Sequence, residues 1–209
     1  NGGDAYGGVD ITGASTPAGF GVKILDNDIT DNEAGANTTL GAVGINVRSS
    51  VSDGVSILVE NNAESGHDLS LYVGAFANNL SVTDNSFAST LGANNAAASG
   101  TLDVGLNWWG SATAPVADGA TLGLVDYSPW FGLDGTYNTP GFTGDYSVLH
   151  VDDDSEIVGA DPYIKEGIDN VVGSTVYVEP GTYTESVTID KSLNLLSTGG
   201  ASNTKIDIT

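Results

Sequence analysis

The stretch LSVTDNSF, residues 80–87, decides the fold of this chain, because its spacing of apolar residues and asparagine recurs along the sequence. Leu80 and Val82 alternate with polar residues, and Asn85 follows Val82 by three positions. Alternation with a period of two is typical of β-strands. The other copies are Val22, Ile24, Asn27 and Ile29; Leu102, Val104, Asn107 and Trp109; and, more loosely, Ile57, Val59 and Asn62.

The distances between these asparagines predict a stacked fold. The steps are 35 residues from Asn27 to Asn62, then 23 to Asn85 and 22 to Asn107. A recurrence near 22 residues, with short strands and a turn in each copy, predicts a parallel β-helix whose coils lie about 4.8 Å apart. We expect the asparagines to form a ladder at one corner, each in the left-handed conformation of a tight turn. The ladder is expected to be structural; the alternative is that these asparagines bind sugar or metal.

The composition agrees with many short strands. Hydrophobic residues make up 40% of the 209 residues, aromatic residues only 8%, and 29 residues are glycine. Such a composition favours strands and tight turns over helix bundles. No apolar run approaches the roughly 18 residues that a membrane-spanning helix needs, so we expect no membrane span.

The charge of the chain bounds its partners. Twenty-seven acidic and five basic residues give a formal net charge of −22. Such a chain repels the phosphate backbone, which excludes a nucleic-acid-binding protein. The same surface attracts cations, Ca²⁺ especially; the alternative is that the acidity only keeps the protein soluble in a saline habitat.

Cysteine and methionine are both absent. Their absence suits an exposed extracellular polymer, although a cytoplasmic protein can also lack cysteine. Residues 1–4 have neither the basic nor the apolar region of a signal peptide, so we expect a processed or truncated boundary there. We predict an extracellular or cell-surface location.

The last third of the chain has a different pattern. Asp161 and Pro162 predict a helix start, with the carboxylate as cap and proline at the first helical position. Ile164, Ile168 and Val171 or Val172 would lie on one face of this helix before Gly173 ends it. The alternating residues that follow predict strands; these are residues 175–179, Val187 and Ile189, Leu193 and Leu195, and Ile206 and Ile208.

Residues 160–196, ADPYIKEGIDNVVGSTVYVEPGTYTESVTIDKSLNLL, resemble the N-terminal cap and first coils of the right-handed β-helix superfamily. That superfamily includes pectin-lyase-like proteins and many bacterial and archaeal cell-surface repeat proteins. The segments NWWG, residues 107–110, and VDYSPWF, residues 125–131, are similar to a C-terminal coil of the same surface proteins. The resemblance implies an all-β, right-handed parallel β-helix with one short capping helix. It implies little about activity, since the superfamily includes enzymes, adhesins and inert scaffolds.

The end-like segments precede the beginning-like segments, so the fold is expected in a circularly shifted register. We predict three parts: middle and C-terminal coils in residues 1–131, an acidic linker in residues 132–159, and the cap helix and first coils of the next copy in residues 160–209. Placing Asn1 after Thr209 gives an uninterrupted series of strands. An uncapped coil exposes unpaired backbone groups, so we expect each open end to be covered by a copy of the same chain.

We therefore expect the structural repeat unit of an extracellular filament, sheath, surface layer or giant adhesin, which assembles head-to-tail with copies of itself. The alternative is a carbohydrate-active or glycan-binding β-helix protein, of the polysaccharide lyase or epimerase kind, with surface glycans as partners. Several copies in one reading frame, or regular fibres under the microscope, would favour the first hypothesis.

Two sets of candidate ligand or modification sites follow from the residues. Asp152, Asp153, Asp154 and Glu156 place four carboxylates within five positions, where mutual repulsion is costly unless a cation lies among them. We predict a calcium site there, with a solvated acidic turn as the alternative; no other cofactor is expected. Asn37 and Asn79 begin N-glycosylation sequons.

An enzyme is not expected. Pectate-lyase-type elimination, as the resemblance implies it, needs a base beside calcium-binding carboxylates, and only Lys23 and Arg48 are basic in residues 1–131. Asp26 and Asp28 could flank a water, but a solvated strand face explains them too. The aromatic residues Trp108, Trp109, Tyr127, Trp130 and Phe131 are predicted to cover the last apolar layer, with a sugar-stacking platform as the alternative.

Overall fold

The structure is a computed structural model that describes residues 7–11, 21–30, 41–48, 56–74, 80–97, 99–115 and 119–208. These residues form a parallel β-solenoid of about six turns, and the described part contains a single short helix. The predicted all-β fold of stacked parallel coils with one helix is confirmed.

Fourteen strands build the first stack, defined as residues 7–131. In chain order they are β1 (Gly7–Ile11), β2 (Val22–Leu25), β3 (Asp28–Thr30), β4 (Val43–Val47), β5 (Ile57–Glu60), β6 (Ala63–Ser65), β7 (Leu69–Val73), β8 (Leu80–Thr83), β9 (Ser86–Ala88), β10 (Leu91–Asn95), β11 (Leu102–Asp103), β12 (Thr121–Leu122), β13 (Val125–Asp126) and β14 (Trp130–Phe131).

Eleven of these strands form three parallel sheets that wind around one core. The strand orders are β1-β4-β7-β10-β12, β2-β5-β8 and β3-β6-β9, and β11 pairs in parallel with β13. The register places the recurring residues on top of one another, with Val22 opposite Ile57 and Ile57 opposite Leu80. The inward-facing residues of the repeats, such as Ile57, Val59 and Val82, are at most 1% exposed and belong to one core cluster. The alternation with a period of two therefore determines where a strand forms and which of its faces is buried.

The predicted asparagine ladder is present. The Nδ2 atom of Asn27 donates to Oδ1 of Asn62 at 2.9 Å, that of Asn62 to Asn85 at 2.9 Å, and that of Asn85 to Asn107 at 3.0 Å. The backbone N–H of each donor asparagine also donates to the same Oδ1 atom that its side chain contacts, at 2.8 to 3.2 Å. Asn62, Asn85 and Asn107 are fully buried, so the ladder satisfies polar groups at a corner that water does not reach.

The expectation that each ladder asparagine adopts the left-handed conformation was wrong by one position. The positive φ angle belongs to the preceding residue: 55° at Asp26, 59° at Asn61, 56° at Asp84 and 54° at Leu106. That residue makes the bend at the corner, which leaves the asparagine free to point its amide into the stack. Asparagine and aspartate tolerate this conformation better than most residues, and Leu106 is the exception here.

The second stack, defined as residues 148–207, follows a short hairpin. The hairpin strands are β15 (Thr136–Tyr137) and β16 (Phe142–Thr143), which pair antiparallel. The second stack contains β17 (Val148–Val151), α1 (Tyr163–Asn170), β18 (Thr175–Val178), β19 (Gly181–Thr184), β20 (Asn194–Ser197) and β21 (Thr204–Asp207).

The two stacks share one sheet, in the order β14-β17-β18-β20. β17 runs antiparallel to β14, whereas β17, β18 and β20 are parallel to one another. Residues 132–159, predicted to be an acidic linker, thus contribute β15, β16 and β17. The hairpin also lies against the first stack: Phe142 donates its N–H to the Asn61 carbonyl at 2.8 Å, and Gly141 to the Asp28 carboxylate at 2.9 Å.

The helix packs where the sequence predicts, but its cap is different. Ile164, Gly167 and Ile168 are buried against β17 and β18, and of the two valines Val171 is buried and Val172 is 75% exposed. Asp161 does not cap the helix: the N-cap residue is Pro162, and it makes no side-chain capping bond. The Glu185 carboxylate instead accepts the N–H groups of Ile164 and Lys165, both at 3.0 Å.

One predicted strand of the last third is not formed. Val187 and Ile189 lie in an irregular segment between β19 and β20, although their alternation resembles that of the neighbouring strands. Val187 still packs against the core of the second stack, whereas Ile189 is 50% exposed. The segment contacts that core through side chains and not through a backbone ladder. The predicted strands around residues 175–178, 194–197 and 204–207 are confirmed.

Candidate assembly surfaces at the two ends

The first stack ends in an open edge, here called the leading edge, formed by β1, β2 and β3. Each of these strands is the terminal strand of its sheet and pairs on one side only, with β4, β5 and β6. The inward-facing Val22 is half-buried, while Ile57, which occupies the same position one coil further on, is fully buried. Within the described residues, no strand covers the other side of this edge.

The second stack ends in a corresponding trailing edge, formed by β20 and β21. β20 pairs only with β18, and β21 only with β19. Apolar side chains that face inward are exposed at this edge. Ile206 is 43% exposed, whereas Tyr183, directly opposite it in β19, is fully buried. Leu196 and Ile208 add 44% and 76% exposed apolar side chains beside it. An exposed strand edge with apolar neighbours is a template for pairing with another strand.

Neighbouring coils pair in the same way in both stacks, with ladder hydrogen bonds that run in both directions. In the first stack, Ala63 donates its N–H to the Asn27 carbonyl and Val22 to the Ser56 carbonyl, both at 2.8 Å. In the second stack, Thr198 donates to the Val178 carbonyl at 3.0 Å and Gly181 to the Asn203 carbonyl at 2.9 Å. The trailing edge therefore offers the groups that a following coil uses, and the leading edge offers those that a preceding coil uses. Edges of this kind join head to tail, and such a contact propagates unless its rotation closes a ring.

The four acidic residues of the predicted calcium site take different partners. The buried Asp152 accepts hydrogen bonds from the Tyr127 hydroxyl at 3.2 Å and the Asp154 N–H at 3.1 Å. Asp153 accepts the N–H of Thr182 at 2.7 Å, and Asp154 and Glu156 are exposed. Among the residues that the structure describes, no three histidine, aspartate or glutamate side chains are placed to hold a metal ion. The calcium site stays a prediction.

The structure brings together two acidic side chains from different stacks, the buried Asp126 and the half-buried Glu166, which the sequence does not connect. Asp126 in β13 is 3% exposed, and burial raises its pKa to about 7 despite hydrogen bonds from the Val158 N–H at 2.6 Å and the Ser155 hydroxyl at 3.0 Å. Burial, together with the charges of Asp126 and Asp103, raises the pKa of Glu166 in α1 to about 8. Because these acidic residues lie far apart in the chain, no sequence pattern indicates that their side chains lie close together.

His150 also acquires partners that the sequence does not suggest. Its Nδ1 atom lies 2.7 Å from Oε1 of Glu179, and its ring stacks between Trp130 at 5.2 Å and Tyr177 at 4.9 Å between ring centroids. The pKa of Glu179 is lowered, because the bonds from His150 and Thr198 outweigh burial. The histidine thus helps to join β14, β17 and β18.

The aromatic residues predicted to cover the last apolar layer are all buried. Trp109, Tyr127 and Trp130 belong to the core of the first stack, and Trp108 and Phe131 to the core of the second. Trp108 and Trp109, at 8% and 7%, are the most exposed of the five. No ring of this group presents a free face for a sugar. Trp109 packs against Phe87 inside the first stack, with ring centroids 5.4 Å apart, and Trp130 stacks on His150 where the two stacks meet.

The residues weighed for an enzyme do not converge. Arg48 pairs with Asp10 at 2.9 Å, and Lys23 is exposed on the leading edge. The Asp28 carboxylate accepts the N–H of Gly141, so it holds the hairpin. Both sequon residues, Asn37 and Asn79, lie outside the described residues.

The described residues contain no helix that is both long and apolar enough to cross a membrane. A search for relatives of the chain finds no matching family model, no matching curated protein and no matching solved structure. The conclusion that the protein is a parallel β-solenoid therefore comes from its own strand pairing, with about six stacked turns.

Proposed function

We propose that the protein is a structural building block that assembles end to end, the trailing edge of one copy pairing with the leading edge of the next. The observation that carries the proposal is that, within the described residues, each stack ends in parallel strands that pair on one side only. Backbone pairing at such an edge is the mode of strand addition. Because the two edges differ, each copy can accept a neighbour at both ends.

The interior of the solenoid supports a mechanical role. A buried row of amides and one continuous apolar core run along the first stack. Each of the ladder asparagines Asn27, Asn62 and Asn85 donates to the asparagine of the next coil, so these contacts join neighbouring coils. Repeat proteins derive their stability from contacts between neighbouring units, so they can be extended by adding further units.

The setting that suits this role is extracellular. We place the protein in a filament, sheath, surface layer or long adhesin, and its coils in the right-handed pectin-lyase-like superfamily that the sequence resembles. The net charge of −22 keeps such a polymer hydrated. Calcium bound near residues 152–156 would lower the repulsion within the acidic turn.

Assembly of the purified protein tests this proposal directly. Sedimentation velocity over a range of protein concentrations, together with negative-stain electron microscopy, should show particles that lengthen with concentration. The variant Ile206→Glu places a carboxylate at an inward position of the trailing edge, where a neighbouring coil would bury it without a partner. It should remain a single copy at all concentrations.

A matched control separates the edge from general surface effects. Val172→Glu adds the same charge at an apolar side chain that is 75% exposed but lies next to the helix, away from both edges. This variant should assemble like the unmodified protein. A protein that stays a single copy at every concentration, or an Ile206→Glu variant that assembles normally, would refute end-to-end pairing.

A further inference from the structure

The leading edge has the same corner spacing as the coil that lies directly inside the trailing edge. In the first stack, the last inward residue of β2, Ile24, and the next inward residue, Asn27, are three positions apart. The same interval separates Val178 of β18 from Gly181 of β19. The strand pairs β2–β3 and β18–β19 therefore present two faces around one corner with equal spacing. β20 and β21 pair residue by residue with β18 and β19, so they carry the same two faces. The corner between them is longer, because seven positions separate Ser197 from Thr204, the partners of Val178 and Gly181.

Superposing these positions fixes the register of the contact between copies. Leu195 lies opposite Val176 and Ile206 opposite Tyr183 within the second stack. If β2–β3 takes the place of the next coil, Val22 falls on Leu195 and Ile29 falls on Ile206. Every inward-facing residue of one edge then lies opposite an inward-facing residue of the other. A shift of the pairing by one residue would place inward-facing residues opposite outward-facing ones.

The outward residues in this register are also complementary. Lys205, exposed on β21, falls opposite Asp28, exposed on β3. Lys205 is one of only five basic residues in the chain, and within one copy its ammonium contacts Asp207 on the same strand. Lys23 falls opposite Leu196, which is 44% exposed, and the aliphatic part of the lysine can cover that leucine while its charge stays in water. Opposite charges on paired strands favour one register over others.

The spacing along the chain is compatible with a covalent array as well. If Thr209 of one copy were followed directly by Asn1 of the next, Leu195 and Val22 would be 36 residues apart, and Ile206 and Ile29 would be 32 apart. The first coil of the first stack, from Val22 to Ile57, takes 35 residues. A junction of this kind would therefore form a coil about as long as the first coil of the first stack, which is longer than the 23 residues from Ile57 to Leu80.

We infer that the partner of the trailing edge is the leading edge of a second copy of this chain, with β20 parallel to β2 and β21 parallel to β3, and with Leu196 opposite Lys23 and Lys205 opposite Asp28. This inference rests on the proposed end-to-end assembly and specifies its register. The contact continues the solenoid by one coil, so two copies share an unbroken parallel sheet on each of these two faces.

Disulfide trapping tests the register, because the chain has no cysteine of its own. Directly opposed residues on parallel strands have Cα atoms about 4.8 Å apart, within the range that a disulfide spans. The variant Leu196→Cys with Lys23→Cys should form ladders of covalently linked copies under mild oxidation, visible on a non-reducing gel and lost on reduction. The variant Leu196→Cys with Leu25→Cys, shifted by two positions to about 8 Å, should form few such links.

The outcomes distinguish the register from the assembly itself. Long particles in the microscope without links between positions 23 and 196, or with stronger links between 25 and 196, would overturn the register and leave end-to-end assembly standing. Absence of long particles in the unmodified protein would overturn the proposed function as well. Each single-cysteine variant controls for random contact, since it can give only linked pairs and no longer ladder.

Discussion

Replacing Asn85 by aspartate tests whether the asparagine ladder holds the coils together. Asn85 is fully buried, and its Nδ2 atom contacts three acceptors: the Val59 carbonyl at 3.0 Å, the Thr83 carbonyl at 2.8 Å and Oδ1 of Asn107 at 3.0 Å. Its Oδ1 atom accepts two bonds from Asn62. Aspartate has the same shape, but it replaces both N–H donors by an oxygen that faces three other oxygens.

The expected loss follows from these bonds. Removing two buried donors costs about 1–3 kcal/mol for each group left unsatisfied, so Asn85→Asp should cost roughly 2–6 kcal/mol before repulsion is counted. A protein of this size loses about 2–4 °C in melting temperature for each kcal/mol. Since the free energy of unfolding of folded proteins is about 5–15 kcal/mol, this substitution should remove a large part of the protein's stability.

The pH dependence separates the loss of donors from loss of packing. Below its raised pKa, the protonated carboxyl of the new aspartate can donate one O–H to one of the three acceptors. Asn85→Asp should therefore be less destabilised near pH 4 than near pH 8, relative to the unmodified protein. Asn85→Ala also loses both donors but has no titratable group, and its cost should be the same at both pH values.

Thermal and urea unfolding of the variants at the two pH values provide the measurement. Asn138→Asp is the control, because Asn138 is exposed and its side-chain amide donates to the Thr143 hydroxyl at 2.8 Å. Its effect should stay within about 0.5 kcal/mol. If Asn85→Asp were no more harmful than this control, the interpretation of the ladder as a buried row of donors and acceptors would be wrong.

Three further predictions concern burial, close packing and charge. Burial raises the pKa of Glu64, which is 1% exposed, so the folded protein holds its proton where the unfolded chain has lost it; stability falls as pH rises above about 4.3, and Glu64→Gln should stabilise the protein near pH 7 but not near pH 3 in urea unfolding. Gly167→Ala should destabilise it by about 1–3 kcal/mol, because the new methyl group would lie 2.6 Å from Val151; a melting temperature equal to or above that of the unmodified protein would contradict the packing. Raising the salt concentration from about 0.01 M to about 0.15 M should increase particle length in light scattering, since copies with a net charge of −22 repel each other less when screened; shorter particles in salt would show that attraction between charges dominates the contact.

The sequence by itself determined the coils of the first stack. Their strands are specified locally, by alternation of apolar residues such as Val59 and Val82, and their stacking by the recurrence of asparagine at one corner. The order of the segments also indicated a second set of coils with a cap helix. These features are visible because every coil repeats the same short-range pattern.

Tertiary structure alone decided the contacts between segments that lie far apart in the chain, including those that join the two stacks. The Glu185 carboxylate caps a helix that begins more than twenty residues earlier, and Asp28 holds a hairpin that lies over a hundred residues away. The antiparallel pairing of β14 with β17, and the burial of Asp126 beside Glu166, likewise join distant parts of the chain. Such contacts depend on which surfaces the completed coils bring together. A local pattern of residues does not indicate these surfaces, because it reflects only the structure of its own segment.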